Sequence, residues 1–377
     1  MAERVCVGAV CQNSEAFWCC DVIIGGIYRV DKSTGKIRCV VSPVQMYREG
    51  YFFVRKLLYW QDKIFILPTE FNRKWIVYCI ASERISFCHP ITFQYFSEET
   101  IIKESKGFCI PFFSDKPVLI LDLDTMQCID KLDIKCAGEE SGIYFEIWNA
   151  FTLEDEICFL LKNSTCLCRI NGRDIKTIIL DIPKKAGCMD FYRNEGWVLA
   201  ADGTNLYKVD VNGKCIDKIP MKINKEFVRL AATQRYVFLL PRKGSGIYVY
   251  DQYIQGFQFI NAGRKEIKHL LPEPLYAGSY WDYIIDGSKI QFLQCKYPQL
   301  VVDLETLEYE QKEFCYSEKF SKEKYWNYYW RIQKMYGKIF KEPEADSLKG
   351  FLKMVIYSEK EKKQGVAVEL KIWEYLN

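Results

Sequence analysis

Residues 53–68, FVRKLLYWQDKIFILP, return at 227–241 as FVRLAATQRYVFLLP. Both copies read Phe-Val-Arg, a turn containing Gln, and an apolar run that ends in Leu-Pro. One copy is a residue longer, which reads as a difference in turn length. Two hairpins of one design, far apart in one chain, demand an architecture that repeats.

The pattern extends well beyond these copies. A second strand of the same kind begins near Phe17, Ile64, Phe108, Ile157, Trp197, Val237 and Ile290, at intervals of 40 to 53 residues. The mean is about 45, a period in the range of propeller blades. A third segment ends in Asp in five places: IYRVD (27–31), LILD (119–122), LYKVD (206–210), IYVYD (247–251) and LVVD (300–303). Three of them continue as Asp-x-x-Thr, at Asp31/Thr34, Asp122/Thr125 and Asp303/Thr306. An Asp carboxylate accepts bonds from backbone amides a few residues on, so this reads as a turn into a fourth strand. Asn171-Gly172 serves in the fourth repeat, and the second repeat departs, with Ala81-Ser82 where Asp is expected.

First strands are expected at 5–10, 53–58, 100–103, 145–150, 188–192, 227–231 and 280–285. Seven units of four short strands follow, over residues 1–314. A four-stranded blade cannot bury both faces alone, whereas blades stacked around an axis can. The expected fold is therefore all-β, a seven-bladed β-propeller. The interval from Gln252 to Ala277, with Pro272 and Pro274, has room for another irregular strand, so six or eight blades stay open. The first blade supplies its own strands from Val5. Either the count is off by one, or closure relies on side-chain packing and the tail.

Residues 1–314 resemble the broad WD40/kelch-like class of propellers, and the whole chain resembles bacterial propeller proteins with a short helical tail. The resemblance is one of pattern. The one Trp-Asp pair, Trp281-Asp282, falls on a first strand, and Gly25-Gly26 with Tyr28 is a single kelch-like instance. The resemblance implies a fold and no particular activity.

Residues 315–377 change character. Helical spacing runs from 321 or 322 to 340, and Asp346-Ser347 is placed to cap a second helix at 348–357. A third helix is expected over 366–376, where Val and Trp content also leaves a strand open. The stretch YWNYYW (325–330) has more aromatics than one packing face needs. It either lies buried across the disc or presents Trp326, Tyr329 and Trp330 to a partner.

Composition excludes several classes. The net charge is +3 with no long basic run, so no nucleic-acid footprint is evident. No basic segment precedes an apolar stretch at the N-terminus, and no window is apolar enough to span a membrane. The 17 cysteines form no CxxC, and only His89 and His269 could add imidazole, so neither a metal nor another cofactor is expected. So many thiols without a disulfide framework read as buried core residues of a cytoplasmic protein.

First strands line a propeller's channel, so their polar residues are the candidate site. Arg55 and Arg229 fall at equivalent places by sequence and could clamp a phosphate or carboxylate, or simply pair with carboxylates. Trp148, Asp190, Tyr192, Tyr280, Trp281 and Asp282 offer ring faces beside carboxylates, as a sugar site would, though blade packing also uses such residues. Glu146, Asp190 and Asp282 are the carboxylates from which a glycosidase-type pair could be drawn. No GxSxG, P-loop or GxGxxG occurs. The expectation is a non-catalytic scaffold that binds a protein, peptide or glycan. The alternative is an enzyme acting on a carbohydrate or acidic metabolite in the funnel.

Overall fold

The computed structural model describes residues 7–21, 25–48, 54–68, 75–88, 97–134, 145–223, 225–242, 244, 246–261, 280, 282–293 and 299–312. They form seven four-stranded antiparallel sheets. Blades one to seven span 7–41, 54–88, 97–132, 147–179, 186–220, 227–261 and 282–312. The expected helices of 315–377 lie outside the described residues. A short helix, Pro43–Arg48, links blades one and two. Ser42 and Gln45 cap it reciprocally: Ser42 N donates to Gln45 Oε1 at 3.0 Å, and Gln45 N to Ser42 Oγ at 3.2 Å.

The first strands are Val7–Gln12, Val54–Trp60, Ser97–Lys103, Ile147–Leu153, Ala186–Tyr192, Phe227–Ala232 and Asp282–Asp286. Each pairs with the second strand of its own blade. Second strands are the most apolar and are buried on both sides; every residue of Ala16–Asp21 and of Tyr236–Pro241 is buried. Their side chains fill the spaces between blades. Phe238 of blade six, fully buried, meets Phe292 of blade seven at 5.2 Å between ring centroids. Burying a side chain of that size stabilises the fold by roughly 1.5–3 kcal/mol, and among the described residues such inter-blade clusters recur from blade one to blade seven.

The Asp turns form as the sequence suggests. Asp31 Oδ1 accepts from Thr34 N at 2.8 Å and Thr34 Oγ1 at 2.9 Å; Asp122 Oδ1 accepts the same pair from Thr125 at 2.7 and 2.8 Å. Asp303 does so from Thr306 at 3.0 and 3.3 Å. The Ser33 hydroxyl, which donates to Asp31 Oδ1 at 2.7 Å, and these threonine bonds hold all three carboxyls below the usual carboxylate range. In blade two the last residue of the third strand is Cys79, and its thiol bonds to Ser82 in the place of Asp and Thr.

Antiparallel pairing puts the tight hairpins, strand one to two and three to four, at one end of each blade. The longer connections, strand two to three and blade to blade, lie at the other. These ends are called here the turn face and the loop face. Ring closure uses no shared strand among the described residues. Gln12 Nε2 of blade one donates to the Ile285 carbonyl of blade seven at 2.9 Å, and Lys32 Nζ pairs with Asp286 at 2.9 Å.

Candidate functional site

Six of the seven first strands carry a bulge near their start, between Val7/Val10, Val54/Lys56, Trp148/Ala150, Ala186/Cys188 and Phe227/Arg229, and opposite Ile110/Pro111. A bulge bends the strand and re-aims the next side chain. In blade six Phe227 lies opposite Pro241 and Arg229 opposite Leu240. In blade two Val54 lies opposite Pro68 and Lys56 opposite Leu67. Register therefore makes Lys56, not Arg55, the counterpart of Arg229. The hairpins are equally long from Val54 and from Phe227 onward, with Gln61 and Gln234 in matching places, so neither turn nor strand holds an extra residue and the two Phe-Val-Arg triplets are offset by one against the register. The side chain of Arg55 lies outside the described residues.

Glu99 of blade three takes the same position, opposite Ile110, and Asp282 opens the first strand of blade seven opposite Leu293. These four alternating charges connect. Lys56 pairs with Glu99. Arg229 pairs with Asp282 at 2.8 Å and approaches Glu99 at 3.8 Å. Blades three and six stand on opposite sides of the axis, so Arg229 links them across the channel. Burial alone would lower the Arg229 pKa, but Asp282 and Glu99 outweigh it and hold the guanidinium firmly charged. Its Cζ lies 5.5 Å from the centroid of the Tyr283 ring, a cation–π contact.

A second knot lies one blade over. Asp190 of blade five is 9% exposed. Its Oδ2 accepts from the Ala232 amide of blade six at 2.8 Å and from the Tyr283 hydroxyl of blade seven at 2.9 Å. Burial pushes its pKa up to about 6, although these bonds pull it down. Burial, reinforced by the Asp190 carboxylate, raises Tyr283 well above its ordinary value, so it serves as a donor and not as a base. Cys188, on the same strand, is a buried thiol pushed up to about 12 by desolvation, which leaves it un-ionised and a poor nucleophile.

The structure thus brings together Asp190, Arg229 and Asp282 of the sequence candidates, and adds Lys56, Glu99 and Tyr283. Tyr192 sits elsewhere. It lies at the turn end of its strand opposite Glu195 and packs against the cluster that includes Trp197 and Leu199, with Arg193 over its ring at 5.3 Å. Tyr280 is fully buried against Phe292 in the core between blades six and seven. Glu146 pairs with Lys162 at 2.7 Å. The Trp148 side chain and all of Trp281, Trp326, Tyr329 and Trp330 lie outside the described residues. Asn149, the bulged residue of blade four, has a φ of 53°, and its buried Nδ2 has no partner among the described residues.

No protein-family model and no curated protein matches this chain. Solved structures match its fold. Virginiamycin B lyase from Staphylococcus aureus is similar over 78% of this chain and 96% of its own, at 10% identity and a TM-score of 0.58. PorZ, a surface component of the type-IX secretion system of Porphyromonas gingivalis, matches 84% of this chain with 39% of its own, at 8% identity and a TM-score of 0.57. A chain of the mitotic checkpoint complex matches 78% of this chain with 86% of its own, at 8% identity and a TM-score of 0.56. Identities this low establish the fold alone, and the functions named are mixed. One lyase structure is of a catalytically inactive histidine-to-alanine variant. Both histidines of this chain, His89 and His269, lie outside the described residues.

Among the described residues no group of three or more His, Cys, Asp or Glu side chains could hold a metal ion. No helix among them is long and apolar enough to cross a membrane.

Proposed function

We propose that this protein is a non-catalytic binding propeller, a rigid disc that recognises a macromolecular partner through its loop face. One observation supports this most: the charged groups described in the channel are paired with one another. Lys56, Glu99, Arg229 and Asp282 form one chain of ion pairs, and Asp190 is held by two donors from two other blades. A catalytic funnel holds an acid, base or anion clamp open toward its substrate. Here the same residue types tie blades two, three, six and seven together, and blade five to six and seven. A stiff disc with variable loops suits recognition. The partner is a protein, peptide or glycan, and the aromatic stretch holding Trp326, Tyr329 and Trp330 is a second contact for it. Among the described residues no cysteine is joined in a disulfide, which fits a reducing compartment.

A second reading has one observation in its favour. Asp190, with a pKa of about 6, is tuned like a proton donor, and an acidic metabolite or sugar hydroxyl in the channel would meet it beside Arg229. A thermal-shift screen of sugars and anionic metabolites, run on wild type and Arg229→Gln, separates the two. The binding-propeller reading expects no small molecule whose stabilisation depends on Arg229. A metabolite that stabilises wild type only, and is converted by it, would replace the scaffold with the enzyme.

A further inference from the structure

Among the described residues, the exposed charge of the loop face gathers at blades five and six. Four chain segments, around Lys185, 201–204, 221–226 and Arg242, are laced together there. The Ala201 amide donates to the Lys185 carbonyl at 2.8 Å, Met221 to Thr204 at 2.8 Å, and Arg242 to Glu226 at 2.8 Å. Gly203 has a φ of 69°, and a Cβ there would stand 2.5 Å from the Lys225 carbonyl oxygen, so the close approach needs glycine. Asp202 fixes the loop from within, accepting from Thr204 N at 3.0 Å and Lys184 Nζ at 2.6 Å.

This surface exposes Lys184, Lys185, Lys222, Lys225 and Arg242, against the two carboxylates Asp202 and Glu226. Both carboxylates are already engaged, by Lys184 and by Arg242 at 3.1 Å. Lys185, Lys222 and Lys225 form no ion pair among the described residues. An apolar platform borders the cations. Tyr248 and Phe259 meet at 4.7 Å between centroids, Phe227 meets Tyr248 at 5.9 Å, and Phe259 is 48% exposed. The Lys225 ammonium lies 5.5 Å from the Tyr248 ring and 6.0 Å from that of Phe259, at the outer reach of a cation–π contact.

We propose that this basic-aromatic surface docks an acidic peptide segment of a partner protein, with one apolar side chain of the peptide seated on Phe259 and Tyr248. The inference rests on the binding reading above and names its partner class and place. Excess positive charge on a pre-ordered frame selects an acidic ligand, and the exposed ring beside it supplies an anchor. Asp202 and Glu226, interspersed among the cations, oppose a continuous phosphate backbone and favour a peptide, whose amides they tolerate.

The test uses the full chain and fluorescence anisotropy with a short labelled peptide of glutamates and serines around one tryptophan. Controls are the same peptide with lysines for glutamates, and an oligouridine. Wild type should bind the acidic peptide best, and more weakly as salt is raised. The Lys185→Glu/Lys222→Glu/Lys225→Glu variant should weaken binding by roughly tenfold or more, and Phe259→Ser by roughly fivefold. All four side chains are at the surface, and circular dichroism checks the fold. Equal binding by the charge-reversed variant would overturn this surface while leaving a binding propeller intact. Preference for the lysine peptide or for oligouridine would overturn the acidic-peptide assignment itself.

Discussion

The hydroxyl of Tyr283 donates to Asp190 at 2.9 Å although the two residues belong to blades seven and five, with blade six between them. The intervening blade joins the same carboxylate through the Ala232 amide. One buried side chain thus gathers three blades. Its cost is the desolvation of a carboxylate, which the two donors offset in part.

That cost gives Asp190 a pH signature. Its folded pKa is raised, to about 6 from 3.8, so the native state holds the proton more tightly than the unfolded chain does. The contribution is complete below the unfolded pKa and is lost as pH rises through about 6. Asp190→Asn stays neutral throughout. Urea titrations should show wild type losing roughly 2 kcal/mol relative to Asp190→Asn between about pH 4 and pH 7. A difference independent of pH would mean that Asp190 is not buried as described.

Tyr283→Phe keeps the ring beside Arg229 and removes only the donor. It should cost roughly 1–2 kcal/mol at neutral pH, as one hydrogen bond to a buried carboxylate is lost. The bond lowers the Asp190 pKa, so the variant's pH-dependent step should move upward. An unchanged step, measured by the same titrations, would show that the hydroxyl is not engaged with Asp190.

The turn carboxylates act in the opposite sense. Asp31, Asp122 and Asp303 have depressed pKa values, caused by the hydroxyl and amide of the serine and threonines they hold. Their stabilisation is present above the unfolded pKa and lost in acid. Alanine at each position should lower the urea midpoint at neutral pH, and asparagine, whose amide oxygen still accepts, should lower it less. Cys79→Asp should raise the midpoint, since Ser82 stands where these turns place threonine.

Closure between blades one and seven uses side chains, with Gln12 on the Ile285 carbonyl and Lys32 on Asp286. Ring seams without a shared strand open more readily than hydrogen-bonded sheets. Gln12→Leu/Lys32→Ala should therefore raise amide exchange in blades one and seven first, with blades four and five unchanged. Uniform acceleration around the disc would contradict a seam at this place.

Much of the fold was legible because its signals are local. The apolar second strands, the Asp-x-x-Thr turns and the spacing between them locate all seven blades, since each depends on neighbours in sequence. The channel was only partly legible, for two physical reasons. Bulges move the inward-facing position by one residue, so the matching Phe-Val-Arg triplets point to Arg55 where register selects Lys56. The first strand of blade three begins at Ser97, and an expected start at Thr100 passes over Glu99. Asp190 and Asp282 were visible as carboxylates on first strands. That Asp190 meets Tyr283 depends on how blades five and seven converge at the axis, which no short stretch of sequence encodes. Tyr192 was misleading because alternation and proximity to Asp190 say nothing of which end of the strand approaches the loop face.

The most direct test of a channel that braces the disc is a double-mutant cycle between Glu99 and Arg229, on opposite blades. Glu99→Gln, Arg229→Gln and the double variant would be unfolded in urea at neutral pH. Arg229→Gln alone should cost about 2–3 kcal/mol, less than for a fully buried pair because the side chain is 21% exposed. The coupling energy between the two sites should be about 1 kcal/mol, since loss of either partner removes the same cross-channel pair. Strictly additive effects would mean that no brace spans the axis.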